Sequence, residues 1–430
     1  MSQLSHPKPE LSVHFIDVGQ GDMTLLITPS KTIVYDCRIT EDDEDRILSY
    51  LETYVPTRTI GGEARKWIDW FICSHRDSDH IHGLEALNRK FPIRGIVDPG
   101  TTSGSTDGPQ NKYYMGLRRR VKEAYGDSAL REPVPSRDPV FDFDGVKFYC
   151  LCSGIDDPVS EDGHYGNNVF QVEYARNRVL LTGDSDWRAW KEKIMPAFED
   201  SDLLATTVLT ASHHGSRSFF VDSSIDEDEA WDDAYEDHLA AISPKMTIIS
   251  CGPKDHQHHP NETALKKYKA ATAYEQVYLT RELKTLVGQF HSNGWWTVTP
   301  ARFLMGWDYA EYATSGKELH VRCWECDGDM RVNEVRSGSL LQVGRKLQFE
   351  VQIPGVLGAS AMFDFRFEVS NGGAGPHMDR DDIYSEGKGT KKQPNTFQRD
   401  LSFVGMHLLR CRVTGPGMKG QSIFVVQGRA

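Results

Sequence analysis

The chain has 430 residues, 39% hydrophobic and 26% charged, with a formal net charge of -13. No apolar run approaches the ~20 residues that a membrane-crossing helix needs. The 9 Trp, 16 Tyr and 19 Phe supply too much core for a disordered chain, and the acidic balance argues against a protein that coats nucleic acid non-specifically.

The length predicts two or three domains. The first residues, MSQLSHPKPELSVHF, hold no apolar segment of the secretory kind. The eight cysteines are scattered through the chain, so reduced thiols and a cytoplasmic location are expected. From residue 12 the chain reads as strands over 12–18, 23–28 and 32–36, separated by Gly and Pro-Ser turns. Residues 42–54 have helical spacing at Ile47, Leu48, Leu51 and Tyr54. A strand over 70–74 runs into a dense set of His and Asp. A basic helix follows over 116–125, then hairpins over 140–152 and 169–181, the second turning at Ala175-Arg176-Asn177. Residues 187–198 read as a helix, 207–210 and 246–250 as buried strands, and 261–269 as a helix capped by Asn261. This order predicts a mixed α/β layout. Residues 222–237 hold nine acidic side chains and no Lys or Arg, the pattern of a solvated insertion loop. Beyond Gly316 the chain turns Gly-rich and strand-like over 346–353, 362–370, 401–413 and 422–427, which predicts a small all-β domain. The expected domains are therefore 1–316 and 317–430.

The strongest chemical signal is Ser74-His75-Arg76-Asp77-Ser78-Asp79-His80. His75, Asp77, Asp79 and His80 place four potential ligands at the end of one strand. So many polar groups in one buried turn need partners, and divalent metals are the natural ones. Three later strands end the same way: Leu180-Leu181-Thr182-Gly183-Asp184, Ala211-Ser212-His213-His214-Gly215-Ser216, and the stretch from Cys251 through His256, His258 and His259-Pro260. Each alone is an ordinary polar loop; together they predict one convergent site at a sheet edge. Adjacent residues on an extended segment point to opposite sides, so one of His213 and His214 should face it. The lone Cys323-x-x-Cys326 pair is weak evidence for zinc.

His75-x-Asp77-x-Asp79-His80 resembles the HxHxDH signature of the metallo-β-lactamase fold, with Asp in place of the second His. With Phe15-Ile16-Asp17-Val18-Gly19-Gln20-Gly21-Asp22, the LLTGD, SHHGS and His259-Pro260 stretches, residues 13–280 resemble the ComEC/Rec2 subgroup. The resemblance implies an αββα sandwich with two divalent ions, Zn²⁺ or Mn²⁺ with Mg²⁺ as a further option, because carboxylate-rich ligand sets suit harder ions. It implies His75 and Asp77 on one ion, Asp79 and His80 on the other, Asp184 bridging and His259 completing the second. Asp79, Asp184 and His214 carry the catalysis, His214 as ligand or as proton donor. His213, His164, Asp17, Asp22 and Asp36 are ligands or the residues that orient them. The subgroup's third histidine has no firm counterpart: His164 is nearby, while Asn167-Asn168 better fits the pattern. The activity implied is phosphodiester hydrolysis, with DNA as substrate.

The tail resembles the C-terminal sensor domain of adenylyl/guanylyl cyclase-like and SMODS nucleotidyltransferase proteins of bacterial conflict systems. The stretches that carry this are Phe367-Glu368-Val369-Ser370-Asn371-Gly372-Gly373 and Phe403-x-Gly405-Met406-His407 through Cys411. On the residues alone it is an Ig-like all-β module. The resemblance implies a nucleotide-derived signal or a partner protein bound there, with Lys391, Lys392, Arg399, His407, Arg410 and Arg412 as candidate contacts, and a homo-oligomer as an option. The combined expectation is a regulated DNA nuclease of antiphage defence. Two alternatives are a hydrolase of a cyclic oligonucleotide signal and a degraded metal-binding adaptor. The acidic stretch 222–237 is expected to repel DNA until it moves.

Overall fold

The computed structural model describes residues 10–60, 62–100, 108–155, 163–225, 231–253, 259–292, 294, 296–301, 319–337, 339–353, 362–372, 384–387, 393–402, 405–415 and 418–429. The chain divides into two compact units, one ending at Gly294 and one from Trp295 to Ala430. The expected boundary near 316 falls among residues 302–318, which lie outside the described residues.

The first unit is built on two sheets. The strands of one are β1 (Leu11–Phe15), β2 (Thr24–Ile27), β3 (Thr32–Tyr35), β6 (Trp70–Ile72), β7 (Ile96–Val97), β8 (Leu130–Arg131) and β16 (Leu286–Phe290), in the order β16–β1–β2–β3–β6–β7–β8. A short hairpin of β4 (Arg58–Ile60) and β5 (Glu63–Arg65) stands apart. The second sheet comprises β9 (Phe141–Phe143), β10 (Val146–Cys152), β11 (Val169–Tyr174), β12 (Asn177–Leu181), β13 (Val208–Thr210), β14 (Met246–Ile249) and β15 (Val277–Leu279), in reverse chain order. The β11–β12 hairpin turns at Ala175 and Arg176, both at positive φ, the twist that a two-residue hairpin turn favours.

Helices cover the sheets. These are α1 (Glu44–Tyr54), α2 (Ser78–Ile81), α3 (Leu84–Lys90) and α4 (Pro109–Tyr125). The apolar spacing of α1 buries Ile47 and Leu51. Helix α4 starts earlier than expected, with Pro109 at its first turn, where a missing N–H costs nothing. On the second sheet, Leu180, Leu209 and Ile249 pack with Trp190, Phe198, Phe219 and Tyr268 from the helical segments. Each such large side chain contributes roughly 1.5–3 kcal/mol by burial. Asn261 caps the helix Glu262–Ala271 through Oδ1, which accepts from the Thr263 and Ala264 amides. The result is a mixed α/β fold of two sheets with helices packed on them.

Part of the acidic stretch is ordered. Trp231 and Tyr235 pack on the core of the second sheet, and Asp237–Ile242 is helical. Residues 226–230 lie outside the described residues.

The second unit is β-rich. After β17 (Trp296–Pro300) come β18 (His320–Asp327), β19 (Met330–Val335), β20 (Ser339–Gln342), β21 (Lys346–Gln352), β22 (Asp364–Gly372), β23 (Tyr384–Gly387), β24 (Thr396–Asp400), β25 (Gly405–Gly415) and β26 (Met418–Arg429). They form sheets β19–β18–β21–β24 and β20–β26–β25–β22–β23. Cys323, Leu347, Phe349 and Val351 from one sheet share a core with Phe367, Val369, Leu409 and Cys411 from the other.

Candidate metal centre

Strand polarity assembles the site. β3 and β6 are parallel, as are β12, β13 and β14. Parallel neighbours end at the same edge of their sheet, so the residues after Tyr35, Ile72, Leu181, Thr210 and Ile249 collect at sheet edges. Asn168 stitches the two sheets there. Its backbone N–H donates to Ser74 O at 2.8 Å, its Nδ2 to Cys73 O at 2.8 Å, and its carbonyl accepts from Tyr35 Oη at 2.7 Å.

Asp184 sits at the middle of the site, 2% exposed. Its Oδ1 lies 3.2 Å from His80 Nε2 and 3.8 Å from His214 Nε2. Its Oδ2 lies 3.5 Å from His213 Nε2 and 3.9 Å from His75 Nε2. Gly183 makes this possible: at φ +51 its missing Cβ would stand 2.6 Å from Asn167 Oδ1 and 2.7 Å from Ser74 Cβ. Asn167 Oδ1 also accepts from the Asp184 amide at 3.1 Å.

Three groups of ligand atoms gather around that carboxylate. One is His75, Asp77 and His164: His75 Nε2 and His164 Nε2 lie 3.6 and 3.7 Å from Asp77 Oδ2. The second is Asp22, His80, Asp184 and His214, and the third is His164, Asp184 and His213. Asp79 adjoins the second, its Oδ2 3.2 Å from His214 Nε2.

Hydrogen bonds aim the rings. His80 Nδ1 faces Asp36 Oδ2 at 2.8 Å, and Asp36 Oδ1 accepts from the Ser74 amide at 2.7 Å. Ser74 Oγ meets His75 Nδ1 at 3.0 Å, and His214 Nδ1 faces the Ser250 carbonyl at 3.0 Å. With Nδ1 engaged, Nε2 is the atom left to bind. The Gly21 turn brings Asp22 in: a Cβ on Gly21 would stand 2.6 Å from Asp79 O, and Ser250 Oγ donates to Gly21 O at 2.7 Å.

The donor set fits divalent ions. His75 Nε2, His80 Nε2 and Asp184 Oδ1 are buried without hydrogen-bond partners, although buried polar atoms are nearly always paired. The protonation balance agrees. Burial alone would lower the His214 pKa, but Asp184, Asp22 and Asp79 push it up to about 9. His80 is likewise held high against its burial by Asp184, Asp36 and Asp79. Burial raises Asp22 to about 6, and hydrogen bonds from His164 and His75 hold Asp77 well below the usual carboxylate range. His80, His214 and Asp22 are thus pushed toward their protonated forms, where cations would take the protons' place.

The arrangement differs from expectation at several residues. His213 and His214 both face Asp184, because both adopt left-handed φ, 49° and 56°, and not an extended backbone. Ser218 Oγ meets His213 Nδ1 at 2.9 Å. His164 joins a ligand group, while Asn167 and Asn168 brace backbone. His259 stands beside the site, its ring centroid 5.4 Å from His213 and 6.3 Å from His214, and is in none of the three groups. Asp17 turns away and pairs with Lys284 at 3.3 Å. His256 and His258 lie outside the described residues. Cys323 and Cys326 join no ligand group among the described residues.

In the second unit, Arg399 and His407 line one small cavity with Leu347, Phe349 and Val426. Arg410 and Arg412 stand apart on buried Glu368, at 3.0 and 3.3 Å. Lys391 and Lys392 lie outside the described residues.

Residues 16–219 match the Metallo-beta-lactamase superfamily. The chain is 24% identical over 267 residues to ComE operon protein 3 of Bacillus subtilis, covering 60% of this chain and 30% of that protein. It is 26% identical over 273 residues to Recombination protein 2 of Haemophilus influenzae, covering 61% and 27%. The chain thus spans under a third of the length of these relatives. The metallo-β-lactamase fold protein YhfI from Bacillus subtilis is similar at 12% identity and TM-score 0.36, over 67% of this chain and 99% of that one. No described helix is long and apolar enough to cross a membrane.

Proposed function

We propose that the first unit is a metal-dependent phosphodiester hydrolase acting on DNA, and that the all-β unit regulates it by taking a nucleotide-derived signal or a partner protein, as an effector of antiphage defence. The observation that carries the hydrolase reading is Asp184, whose two carboxylate oxygens each face a pair of histidine Nε2 atoms. A carboxylate so placed can bridge two ions. His75, Asp77 and His164 would hold one, and Asp22, His80 and His214 the other, with Asp79 beside the second.

Two ions there would supply an activated water and neutralise the phosphate under attack. The chain's own residues do the rest. Asp36 holds the His80 ring and Ser74 the His75 ring with Nε2 inward. The Ser250 carbonyl does the same for His214, and Asn167 fixes the turn that presents Asp184. DNA as substrate is supported by the relative named Recombination protein 2. The regulatory role rests on the tail's resemblance to signal-sensing domains.

The test is cleavage of plasmid, linear and single-stranded DNA with Mn²⁺, Zn²⁺ or Mg²⁺, with and without cyclic oligonucleotides. Cleavage abolished by His75→Ala is expected. Turnover of a cyclic dinucleotide with no cutting of DNA would replace this reading with signal hydrolysis.

A further inference from the structure

Arg76 lies between His75 and Asp77 in the chain, yet its side chain leaves the ligand groups and runs to α4. There its Nη1 meets Met115 Sδ at 3.5 Å. Among the described residues the two buried arginines are Arg76, 8% exposed, and Arg410, 7%. Arg410 pairs with Glu368 at 3.0 Å. Arg76 has no ion pair among the described residues, and its Nε is buried without a hydrogen-bond partner.

That is an expensive arrangement. A guanidinium does not shed its proton, a thioether is a weak acceptor, and a buried charge without a partner is strongly disfavoured. The surroundings add to the positive field. Helix α4 carries Lys112, Arg118, Arg119, Arg120 and Lys122 against a single acid, Glu123. Arg118 is neutralised by Asp98 and Glu132, and Lys122 by Asp127. Lys112 and Arg119 are exposed and make no ion pair among the described residues. On a chain of net charge -13, this side of the centre is set for an anion.

Resting on the phosphodiester reading above, we infer that Arg76 binds a second phosphate of the substrate, next to the one under attack and on the α4 side. Arginine suits the task because its fork matches two phosphate oxygens at once. The site therefore selects a strand, or any ligand with neighbouring phosphates, over an isolated phosphodiester.

The experiment compares wild type, Arg76→Met and Arg76→Lys on a short single-stranded oligonucleotide and on bis(4-nitrophenyl) phosphate, which carries one phosphate. Methionine keeps much of the stem's packing and removes the charge. The oligonucleotide's kcat/KM in Arg76→Met should fall about tenfold more than that of the single-phosphate diester, chiefly through KM, with partial recovery in Arg76→Lys. Equal losses on both substrates, or no loss on the oligonucleotide, overturn the inference and leave the hydrolase reading standing. If wild type cleaves neither substrate, the hydrolase reading fails and the anion site is judged separately, on chelator-treated protein. Inorganic phosphate should then raise the melting temperature of wild type and not of Arg76→Met. The same response in both proteins contradicts the site.

Discussion

Asp36 and His80 form a buried pair, Oδ2 to Nδ1 at 2.8 Å, in which neither residue has measurable exposure. The carboxylate fixes which nitrogen of His80 carries the proton and where the other points. Asp36→Asn keeps an oxygen for the Ser74 amide but removes the charge behind the ring. Metal affinity should drop about 10- to 100-fold with little change in melting temperature. Metal content after dialysis at graded free-metal concentrations reads it. Unchanged affinity would assign Asp36 to folding alone.

Asp184→Asn should act on both ions at once, since Oδ1 faces His80 and His214 while Oδ2 faces His213 and His75. Metal analysis should find loss of both ions together. Loss of one, with the other held at wild-type affinity, would remove the bridging role.

Gly183→Ala tests the close approach that presents Asp184. The added methyl meets Asn167 and Ser74 at under 3 Å, in a backbone conformation that disfavours side chains. Overpacking of this kind costs about 1–3 kcal/mol. Denaturant titration should show that loss, and a stability equal to wild type would mean that the turn relaxes freely.

Acid should destabilise the first unit through two buried histidines outside the ligand groups. His14 is buried against Tyr50, and His238 among Trp190, Phe219 and Tyr235. Burial lowers each from 6.5 to about 3. The sign follows from proton counts: between these values the unfolded chain binds the proton and the folded one does not. Stability is therefore full above about pH 6.5 and is lost as pH falls toward 3. His238→Phe should flatten the pH dependence of the denaturation midpoint over this window. An unchanged slope would clear His238.

Much of the fold and the site is legible in the sequence, for physical reasons that differ by residue. The strands ending in His75–His80, Gly183-Asp184 and His213-His214 announce themselves, because an apolar run that delivers ligand side chains to a buried turn needs a cation to neutralise them. Asn261 is legible as a cap from its place before a helical pattern. His164 is legible only as a candidate, because it stands outside the strand-end clusters and precedes the more conspicuous Asn167-Asn168. The shared direction of His213 and His214 depends on two left-handed residues in succession, which no side-chain pattern signals. The packing of Trp231 and Tyr235 inside an acidic run is hidden by the charges around them. The burial of Arg76 needs α4 in place beside it.

The central claim is a two-ion hydrolase built around Asp184. Single-turnover cleavage of end-labelled DNA tests it most directly, with wild type and Asp184→Asn side by side, across Mn²⁺, Zn²⁺ and Mg²⁺ and with cyclic oligonucleotides added. Wild type should cut in at least one condition, and Asp184→Asn should be at least about 100-fold slower there. Equal rates in the two proteins, or no cutting by wild type in any condition, would contradict it.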